Sequence, residues 1–217
     1  NKLKAAPVKL AIEHLSHSSN GEKAFLINAG NANAATGSQG MRDVRFYCKE
    51  MASDLNLKKE NIIPFSTGVI GEAFPLDNYL NAFREAKSKL SVKNWSKAAN
   101  AILTTDTKPK IISKQVKIEK EIYSITGFAK GSGMIRPDFA TLLSFVFVDA
   151  KVNQRSLNKI HADALDVSFN AITVDGDTSP NDSSLLVVNG NENKSIKPNS
   201  KTEKKLDKDR FRKDLGN

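Results

Sequence analysis

The stretch Lys130-Gly-Ser-Gly-Met-Ile-Arg-Pro-Asp-Phe-Ala-Thr141 leads directly into Leu142-Leu-Ser-Phe-Val-Phe-Val148. Its first part is small, polar and rich in glycine, which is typical of a loop where the backbone turns tightly. The residues that follow are apolar and, together with Thr141, have the length of a buried strand, which we predict at 141–148. Because binding and catalytic groups commonly lie where a strand meets such a loop, this junction is a candidate functional region.

Two further polar clusters lie beside apolar segments. Ser66-Thr-Gly68 follows the short apolar run 62–65, and Thr104-Thr-Asp-Thr107 follows a helical pattern. Each cluster alone is weak evidence for function. The segment 130–133 resembles a small phosphate-binding nest, but it lacks the spacing of a Walker loop, so an ordinary turn is favoured there.

Apolar periodicity along the rest of the chain predicts both helices and strands. Apolar residues three or four apart predict helices, and short apolar or alternating runs predict strands. The predicted helices are 40–55, 76–90, 95–103 (or a helix-to-strand step) and 156–169. The predicted strands are 24–28, 62–65, 110–113, 115–119, 121–125, 141–148, 170–177 and 183–188. The fold class is therefore mixed α/β, with antiparallel hairpins in the middle of the chain.

The composition is that of an ordinary globular protein. Hydrophobic residues make up 39% and charged residues 26% of the 217 residues, and no apolar run is long enough to cross a bilayer. Residues 191–217 carry nine Lys and Arg against five Asp and Glu, and the whole chain has a net charge of +9. No aromatic residues interleave with the lysines of 191–205, so a solvated tail fits better than a nucleic-acid surface. We expect neither a nucleic acid nor a membrane as partner.

The chain has one cysteine and three histidines. Cys48 alone cannot form an internal disulfide or a cysteine-cluster metal site, and its helical pattern favours a quiet thiol over a nucleophile. His14 and His17 are three residues apart and can share a helix face, but neither they nor His161 have a third ligand at suitable spacing. We therefore expect surface or helix-end histidines and no metal site.

Five motifs, taken together and in order, resemble those of one known family. They are Ala29-Gly-Asn-Ala-Asn33, Ser66-Thr-Gly-Val-Ile-Gly-Glu72, Ala101-Ile-Leu-Thr-Thr-Asp-Thr107, Lys130-Gly-Ser-Gly-Met-Ile135 with Pro137 and Ala140-Thr141, and Asn170-Ala-Ile-Thr-Val-Asp-Gly-Asp-Thr178 with Asn181-Asp182. Over residues 1–190 the sequence resembles the ornithine acetyltransferases, also called bifunctional arginine-biosynthesis proteins. The resemblance implies a layered α/β/β/α-type core and a self-cleaving N-terminal-nucleophile enzyme, of which this sequence is a partial chain.

The resemblance also implies a cut between Ala140 and Thr141. Residues 1–140 then form an upstream (alpha) segment, 141–190 the start of a downstream (beta) segment, and 191–217 a polar basic tail or linker. The cut makes Thr141 an N-terminal nucleophile that also contacts substrate. A threonine hydroxyl is a weak nucleophile, and the new α-amino group, with a pKa of about 8, supplies a base beside it. From the residues alone, the beginning of a buried strand remains an alternative for Ala140-Thr141.

Four further site residues come from the same resemblance. It assigns the Thr67 hydroxyl and the Gly68 amide to an oxyanion hole, where preset donors stabilise developing negative charge. It assigns Thr104 and Lys130 to substrate binding, and a lysine offers a point charge to a carboxylate. On chemistry alone, Thr105 suits this role as well as Thr104, Lys130 can be a surface charge, and Thr67 and Gly68 can belong to a turn.

The implied reaction is that of a glutamate N-acetyltransferase in arginine biosynthesis. An acetyl group passes from N-acetylornithine to glutamate through an acetyl-Thr141 intermediate. No cofactor is expected, although some family members also use acetyl-CoA as donor. The expected assembly is a heterotetramer of two cleaved alpha/beta pairs in the bacterial cytoplasm, or in the mitochondrial matrix of a fungus. Two alternatives remain open: a truncated, non-catalytic homologue that acts as a binding module, and an amidase with the same nucleophile.

Overall fold

The computed structural model describes residues 3–17, 21–135, 142–190 and 194–196. The chain forms two compact units. The first unit comprises Asn1–Pro109 and Ser179–Ser183, and the second comprises Lys110–Thr178 and Ser184–Asn217. The predicted boundary between residues 140 and 141 is a cleavage site in the chain and not a boundary between these two units. It therefore stays a prediction.

The first unit alternates helices and strands. Its elements are α1 (Ala6–His17), β1 (Ala24–Asn31), α2 (Gly37–Leu55), a short 3-10 helix (Lys59–Asn61), β2 (Ile62–Val69), α3 (Leu76–Ser88) and α4 (Trp95–Ala101). β1 and β2 pair in parallel, with Ala24 opposite Ile62 and Gly30 opposite Gly68. Parallel pairing brings the C-terminal ends of both strands to the same edge, which is the edge where sites form in open α/β sheets.

The buried face of α2 organises the core of the first unit. Val44, Tyr47, Cys48 and Met51 recur at spacings of one, three or four residues and are almost inaccessible to solvent. They belong to an apolar cluster with Ala52 of the same helix and with residues from other parts of the first unit: Ala6, Leu10, Leu26, Ile62, Phe74, Leu80 and Phe83. Burying a large apolar side chain contributes about 1.5–3 kcal/mol. Burial also raises the pKa of the Cys48 thiol, which agrees with the prediction of a quiet thiol.

The sequence-based assignment misses α1 and with it the position of His14. Pro7 lies in the first turn of this helix, where a missing N–H costs little. His14 follows Leu10 by four residues and so lies on the same buried face. Its Nδ1 donates to the Ile62 carbonyl at 2.7 Å. Both histidines lie in the last turn of α1, as the helix-end alternative expects. A surface position is wrong for His14, which is buried, whereas His17 is exposed.

The second unit is built on a four-stranded sheet in the order β3-β4-β5-β6. Its elements are β3 (Lys110–Ile118), β4 (Glu121–Lys130), β5 (Leu143–Val148), α5 (Gln154–Asp166), a short 3-10 helix (Phe169–Ala171) and β6 (Ser183–Val188). β3 and β4 form an antiparallel hairpin, and β4 pairs antiparallel with β5. The predicted antiparallel hairpins are thus confirmed.

Two predicted strands and one predicted loop need correction around β3 and β4. Residues 110–118 form one strand rather than two, because Ser113 and Lys114 keep their partners Thr126 and Ile125 on β4. β4 continues as far as Lys130. The glycine-rich loop predicted to begin at Lys130 therefore begins after this residue, since the ladder with β5 persists to Lys130.

The predicted strand 170–177 is also wrong. This segment begins in a 3-10 helix and then forms isolated bridges with Ile135. Asp175 has φ 62° and Gly176 has φ 78°, and these left-handed conformations interrupt an extended path. The remaining predicted helices and strands are present with shifted ends.

Two findings on the described part of the chain bear on function. Within the described ranges, no helix combines the length and apolar character needed to cross a membrane. Nor do the residues that the structure describes bring three or more His, Cys, Asp or Glu side chains together as a metal site requires.

Candidate functional site

Thr67 and Gly68, the predicted oxyanion pair, lie near the C-terminal end of β2. Thr67 is opposite Ala29 and Gly68 is opposite Gly30 in the parallel ladder, which continues to Val69. The pair is therefore strand rather than turn. Thr67 is buried, and its position on a paired strand offers a hydroxyl next to the Gly68 backbone amide on a fixed support, as preset donors require.

Gly68 is required by the close approach of the two strands. Its φ is +131°, and a Cβ built on it would lie 2.3 Å from the Gly30 carbonyl carbon and 2.6 Å from the Asn31 amide nitrogen. Both are backbone atoms, so neither can rotate away as a flexible side chain would. Only glycine fits here without moving a strand.

Ser66, the residue before the pair, is held from β1. Its Oγ donates to Asn28 Oδ1 at 2.6 Å. Asn28 Nδ2 in turn donates to the Asn31 carbonyl at 2.7 Å. Ser66, Asn28 and Asn31 are all buried, and buried polar groups need such partners because water is excluded. These bonds fix the strand end that carries Thr67.

The loop after β1 is held by two further amide side chains. Asn31 Oδ1 accepts from the Asn33 N–H at 2.8 Å, and Asn31 Nδ2 donates to the Ala73 carbonyl at 3.1 Å. Asn33 Nδ2 donates to the Gly40 carbonyl at 3.0 Å, near the start of α2. A Cβ on Gly40 would lie only 2.2 Å from Asn33 Oδ1. The motif 29–33, which comprises the end of β1 and the start of the following loop, is therefore fixed by these hydrogen bonds.

The segment 179–183 joins this edge of the first unit from a distant part of the sequence. Asn181 Nδ2 donates to the Ala32 carbonyl at 2.7 Å and to the Ser66 carbonyl at 2.9 Å. Next to it, the Pro180 carbonyl accepts from the Ala5 N–H at 2.9 Å. Asn181 thus bridges the loop after β1 and the strand end before Thr67.

Lys130, the predicted substrate-binding lysine, lies in the second unit at the last position of β4. It is only 4% exposed, so the alternative of a surface lysine is wrong. Lysine is rarely this buried unless its charge has a partner or a task. Its ladder partner on β5 is Leu143. Lys130 is therefore opposite a residue that follows Thr141 by two positions in the sequence.

The glycine-rich loop after Lys130 is fixed by residues 173–175. Asp175 Oδ2 accepts from the Met134 N–H at 2.8 Å. Ile135 and Val174 exchange backbone hydrogen bonds of 2.9 and 2.6 Å. Thr173 Oγ1 donates to the Ile135 carbonyl at 3.1 Å. The Asp175 carboxylate therefore caps this loop.

A hydrogen-bonded chain of side chains links α5 to the sheet of the second unit. Ser144 Oγ donates to Ser184 Oγ at 2.6 Å, and Ser184 Oγ lies 2.8 Å from His161 Nε2. Because Ser184 already accepts from Ser144, its own hydrogen is available to His161 Nε2. Burial lowers the pKa of His161, which favours the neutral imidazole that accepts this bond.

The remaining predicted site residues divide by location. Thr104 and the alternative Thr105 lie in an exposed bend after α4, in the first unit. Ala140 and Thr141 lie outside the described residues. The structure thus brings together Thr67 and Gly68 in one strand, whereas Lys130 belongs to the other unit.

The sequence does not predict a role for the buried residues around Thr67. Ser66 and Asn181 lie within motifs of the family resemblance, and Asn28 ends the predicted strand 24–28. The available signal was chemical: an amide side chain at the end of the apolar run 24–28 must find hydrogen-bond partners once buried. Which partners it finds depends on long-range pairing, which periodicity does not reveal.

Comparison with known sequences gives a family and several relatives. A family model described as the ArgJ family matches residues 1–216. The arginine biosynthesis bifunctional protein ArgJ of Colwellia psychrerythraea is 44% identical over 202 residues, which cover 89% of this chain and 48% of that protein. The chain spans about half the length of the curated relatives it matches.

Solved structures give the same result for the fold. The arginine biosynthesis bifunctional protein argJ of Bacillus halodurans is 34% identical with a TM-score of 0.57, covering 64% of this chain and 72% of that chain. The ornithine acetyltransferase of Mycobacterium tuberculosis, solved with ornithine, is 28% identical with a TM-score of 0.53 and the same coverage, 64% and 72%. The mixed α/β class is confirmed. Because the family model matches residues 1–216, the chain belongs to the ArgJ family.

Proposed function

We propose that the full-length protein is a glutamate N-acetyltransferase of arginine biosynthesis. It cuts itself between Ala140 and Thr141 and then moves acetyl groups from N-acetylornithine to glutamate through Thr141. The observation that carries this proposal is the fixed Thr67-Gly68 pair at the C-terminal end of β2, in a chain that belongs to the ArgJ family. Membership of this family does not favour the amidase or the non-catalytic module.

The relatives support this choice of substrates. One structural relative is described as an ornithine acetyltransferase in complex with ornithine. The curated relatives carry the name of bifunctional arginine-biosynthesis proteins. Since the present chain spans about half of their length, the proposal concerns the full-length protein that contains these residues.

The self-cleavage step uses only atoms of the chain and one water. The Thr141 hydroxyl oxygen attacks the Ala140 carbonyl carbon, the carbon–nitrogen bond breaks, and the hydroxyl proton passes to the released amine. The resulting ester is opened by water, which leaves a carboxylate on Ala140 and a free hydroxyl on Thr141. The cut also creates the α-amino group that later serves as a base for the hydroxyl.

The transfer reaction repeats the same chemistry on the substrate. The Thr141 oxygen attacks the acetyl carbonyl of N-acetylornithine, and its proton passes through the α-amino group to the departing ornithine amine. The amine of glutamate then attacks the acetyl-threonine ester, and the proton that it loses restores the hydroxyl. N-acetylglutamate leaves, so the acetyl group is conserved rather than hydrolysed.

Each attack places negative charge on a carbonyl oxygen. We assign the stabilisation of this charge to the Thr67 hydroxyl and the Gly68 N–H, and one such donor commonly lowers the barrier by about 3 kcal/mol. The rigid support of Ser66 by Asn28 suits donors that must be in place before the charge develops. Preset donors avoid reorganisation during the reaction, which is why a hydrogen-bonded strand end suits this role.

Lys130 and Thr104 are our candidates for binding a substrate carboxylate. The burial of Lys130 supports this role, because a charge removed from water is stabilised by an anionic partner. Its partner Leu143 follows Thr141 by two residues, and two residues of chain span about 7 Å at most. Lys130 is thus opposite the strand that leads from the nucleophile.

We propose a heterotetramer of two cleaved alpha/beta pairs that works without a cofactor in the bacterial cytoplasm. Acetyl-CoA is a second acetyl donor only if the enzyme is of the bifunctional kind. Incubating the protein with acetyl-CoA and glutamate, without N-acetylornithine, separates the two kinds by the appearance of N-acetylglutamate.

The test is acetyl exchange between labelled N-acetylornithine and glutamate in the full-length protein. Thr141→Ala should abolish both cleavage and exchange, and Thr141→Ser should keep part of each, because serine retains the hydroxyl. Thr67→Ala should slow exchange about 100-fold or more, which is the usual loss for one oxyanion donor. Normal exchange by an uncleaved Thr141→Ala protein would overturn the proposal.

Comparison of Thr104→Ala with Thr105→Ala shows which of the two threonines binds the substrate carboxylate. Both residues lie in the same exposed bend, so either substitution should have little effect on stability. If Thr104 binds the substrate carboxylate, Thr104→Ala raises KM while Thr105→Ala leaves it unchanged. The opposite result assigns the contact to Thr105.

A further inference from the structure

We infer that Asn181 is a positioning residue for the Thr67-Gly68 pair, which it holds through the Ser66 carbonyl from the far side of the proposed cleavage site. The inference rests on the proposed function for the role of the pair. The contact itself is a hydrogen bond of 2.9 Å from Asn181 Nδ2 to the Ser66 carbonyl. After a cut before Thr141, Asn181 belongs to the downstream piece and Ser66 to the upstream piece.

The bonded carbonyl is part of the peptide unit that leads into Thr67. A peptide unit is planar, so holding the Ser66 oxygen fixes the orientation of the Thr67 N–H and the starting direction of that residue. The side chain of the same residue is also held, because Ser66 Oγ donates to Asn28 Oδ1 at 2.6 Å. Ser66 is therefore held twice, from β1 by its hydroxyl and from segment 179–183 by its carbonyl.

The orientation of the Asn181 amide follows from its partners. Both groups facing Nδ2 are carbonyl oxygens, those of Ala32 and Ser66, at 2.7 and 2.9 Å. Only the NH₂ end of an amide can donate to two carbonyls. Asn181 is 6% exposed, so water cannot readily replace these bonds when the side chain is removed.

The consequence is that the oxyanion pair depends on both cleavage products. The segment that carries Asn181 is attached to the first unit in a second place, because the Pro180 carbonyl accepts from the Ala5 N–H at 2.9 Å. The downstream piece therefore remains bound to the upstream piece through 179–183 after the cut. Its Asn181 keeps the strand end of the pair in place during transfer.

The test compares two Asn181 variants with a control in the core. Asn181→Leu has a similar size but no donor, and Asn181→Asp has almost the same shape but directs a carboxylate at two carbonyl oxygens. Met51→Ala removes a buried side chain of α2 and serves as the control for general destabilisation. All three are made in the full-length protein and studied under conditions where they remain folded.

The kinetic readout is the separate effect on kcat and KM. Asn181→Leu should lower kcat about 10- to 100-fold with KM almost unchanged, because a displaced donor affects the charge that exists only in the transition state. Met51→Ala should retain its kcat. In Asn181→Asp, activity relative to wild type should rise as the pH falls, because a protonated carboxyl regains one donor. Equal kcat values for the folded Asn181→Leu and Met51→Ala proteins would overturn the inference.

Hydrogen exchange separates this inference from the proposed function. In Asn181→Leu, the amides of 67–69 should exchange faster than in Met51→Ala, relative to those of α5, which neither substitution alters. This result does not depend on any acetyl transfer. If wild type neither cuts itself nor transfers acetyl, the proposed function fails, while the exchange data still decide whether Asn181 positions the strand end. Equal exchange at 67–69 in the two variants would show that it does not.

Discussion

Substituting Gly68 with alanine adds one methyl group at the point where β1 and β2 approach each other. The new Cβ would lie 2.3 Å from the Gly30 carbonyl carbon and 2.5 Å from its oxygen. Gly71→Ala is the matched control, because Gly71 also has a positive φ, +87°, but has nothing within 4 Å of the added Cβ. Both variants place an alanine at a positive φ and so share the backbone strain. Only Gly68→Ala also places a methyl group against neighbouring backbone atoms.

The magnitudes can be estimated from these two terms. A non-glycine residue at such φ values costs about 1–2 kcal/mol, which applies to both variants. Forcing a methyl group into a packed site costs a further 1–3 kcal/mol or so, which applies to Gly68 alone. We therefore expect Gly71→Ala to lower the free energy of unfolding by about 1–2 kcal/mol, and Gly68→Ala by about 2–5 kcal/mol.

The assay is urea unfolding of both variants and of wild type. The same proteins, in full-length form, are then assayed for self-cleavage. Alanine keeps the backbone N–H, so slower cleavage by the folded Gly68→Ala protein would reflect displacement of the donor rather than its removal. Unfolding free energies of the two variants within about 0.5 kcal/mol of each other would refute the reasoning, because the clash would then have no cost.

Two further predictions concern the second unit. Lys130→Met keeps an aliphatic side chain at a buried position but removes the charge, so steady-state kinetics should show a higher KM with little change in kcat; a large fall in kcat alone would contradict a role in substrate binding. Burial lowers the pKa of His161, so the unfolded chain binds the proton more readily and stability falls as the pH drops below about 6.5. In His161→Gln, which can still bond to Ser184, unfolding free energies at about pH 7.5 and pH 5 should differ less than in wild type, and an equal difference would contradict this assignment.

Local sequence patterns predict most of the helices and strands in the first unit. The helical stripe around Tyr47 and the apolar run before Ser66 predicted α2 and β2, because each pattern reflects burial of one face. The family resemblance also predicts Thr67 and Gly68 as site residues. The need for glycine at position 68 became clear only from the Gly30 backbone opposite it, since parallel pairing joins residues that are far apart in sequence.

The errors share a physical cause. Ser113 and Lys114 interrupt the apolar alternation, which predicts two strands separated by a short loop. Their backbone groups nevertheless pair with β4, so the strand is continuous. The sequence predicts a surface or helix-end position for His14 and misses its burial, because its partner, the Ile62 carbonyl, is 48 residues away. The role of Asn181 is not evident from the sequence for the same reason, since its bond to Ser66 joins residues 115 apart.

On the proposed mechanism, Thr141 becomes the N-terminal nucleophile through self-cleavage. Mass spectrometry of the purified full-length protein, with N-terminal sequencing of its pieces, tests this most directly. We expect two pieces that copurify, the second beginning Thr141-Leu-Leu-Ser144. They should form at a rate independent of protein concentration, because the reaction is intramolecular. In Thr141→Ala a single intact chain should remain. An intact wild-type chain, or a cut at any other bond, would show that Thr141 does not become an N-terminal nucleophile in this way.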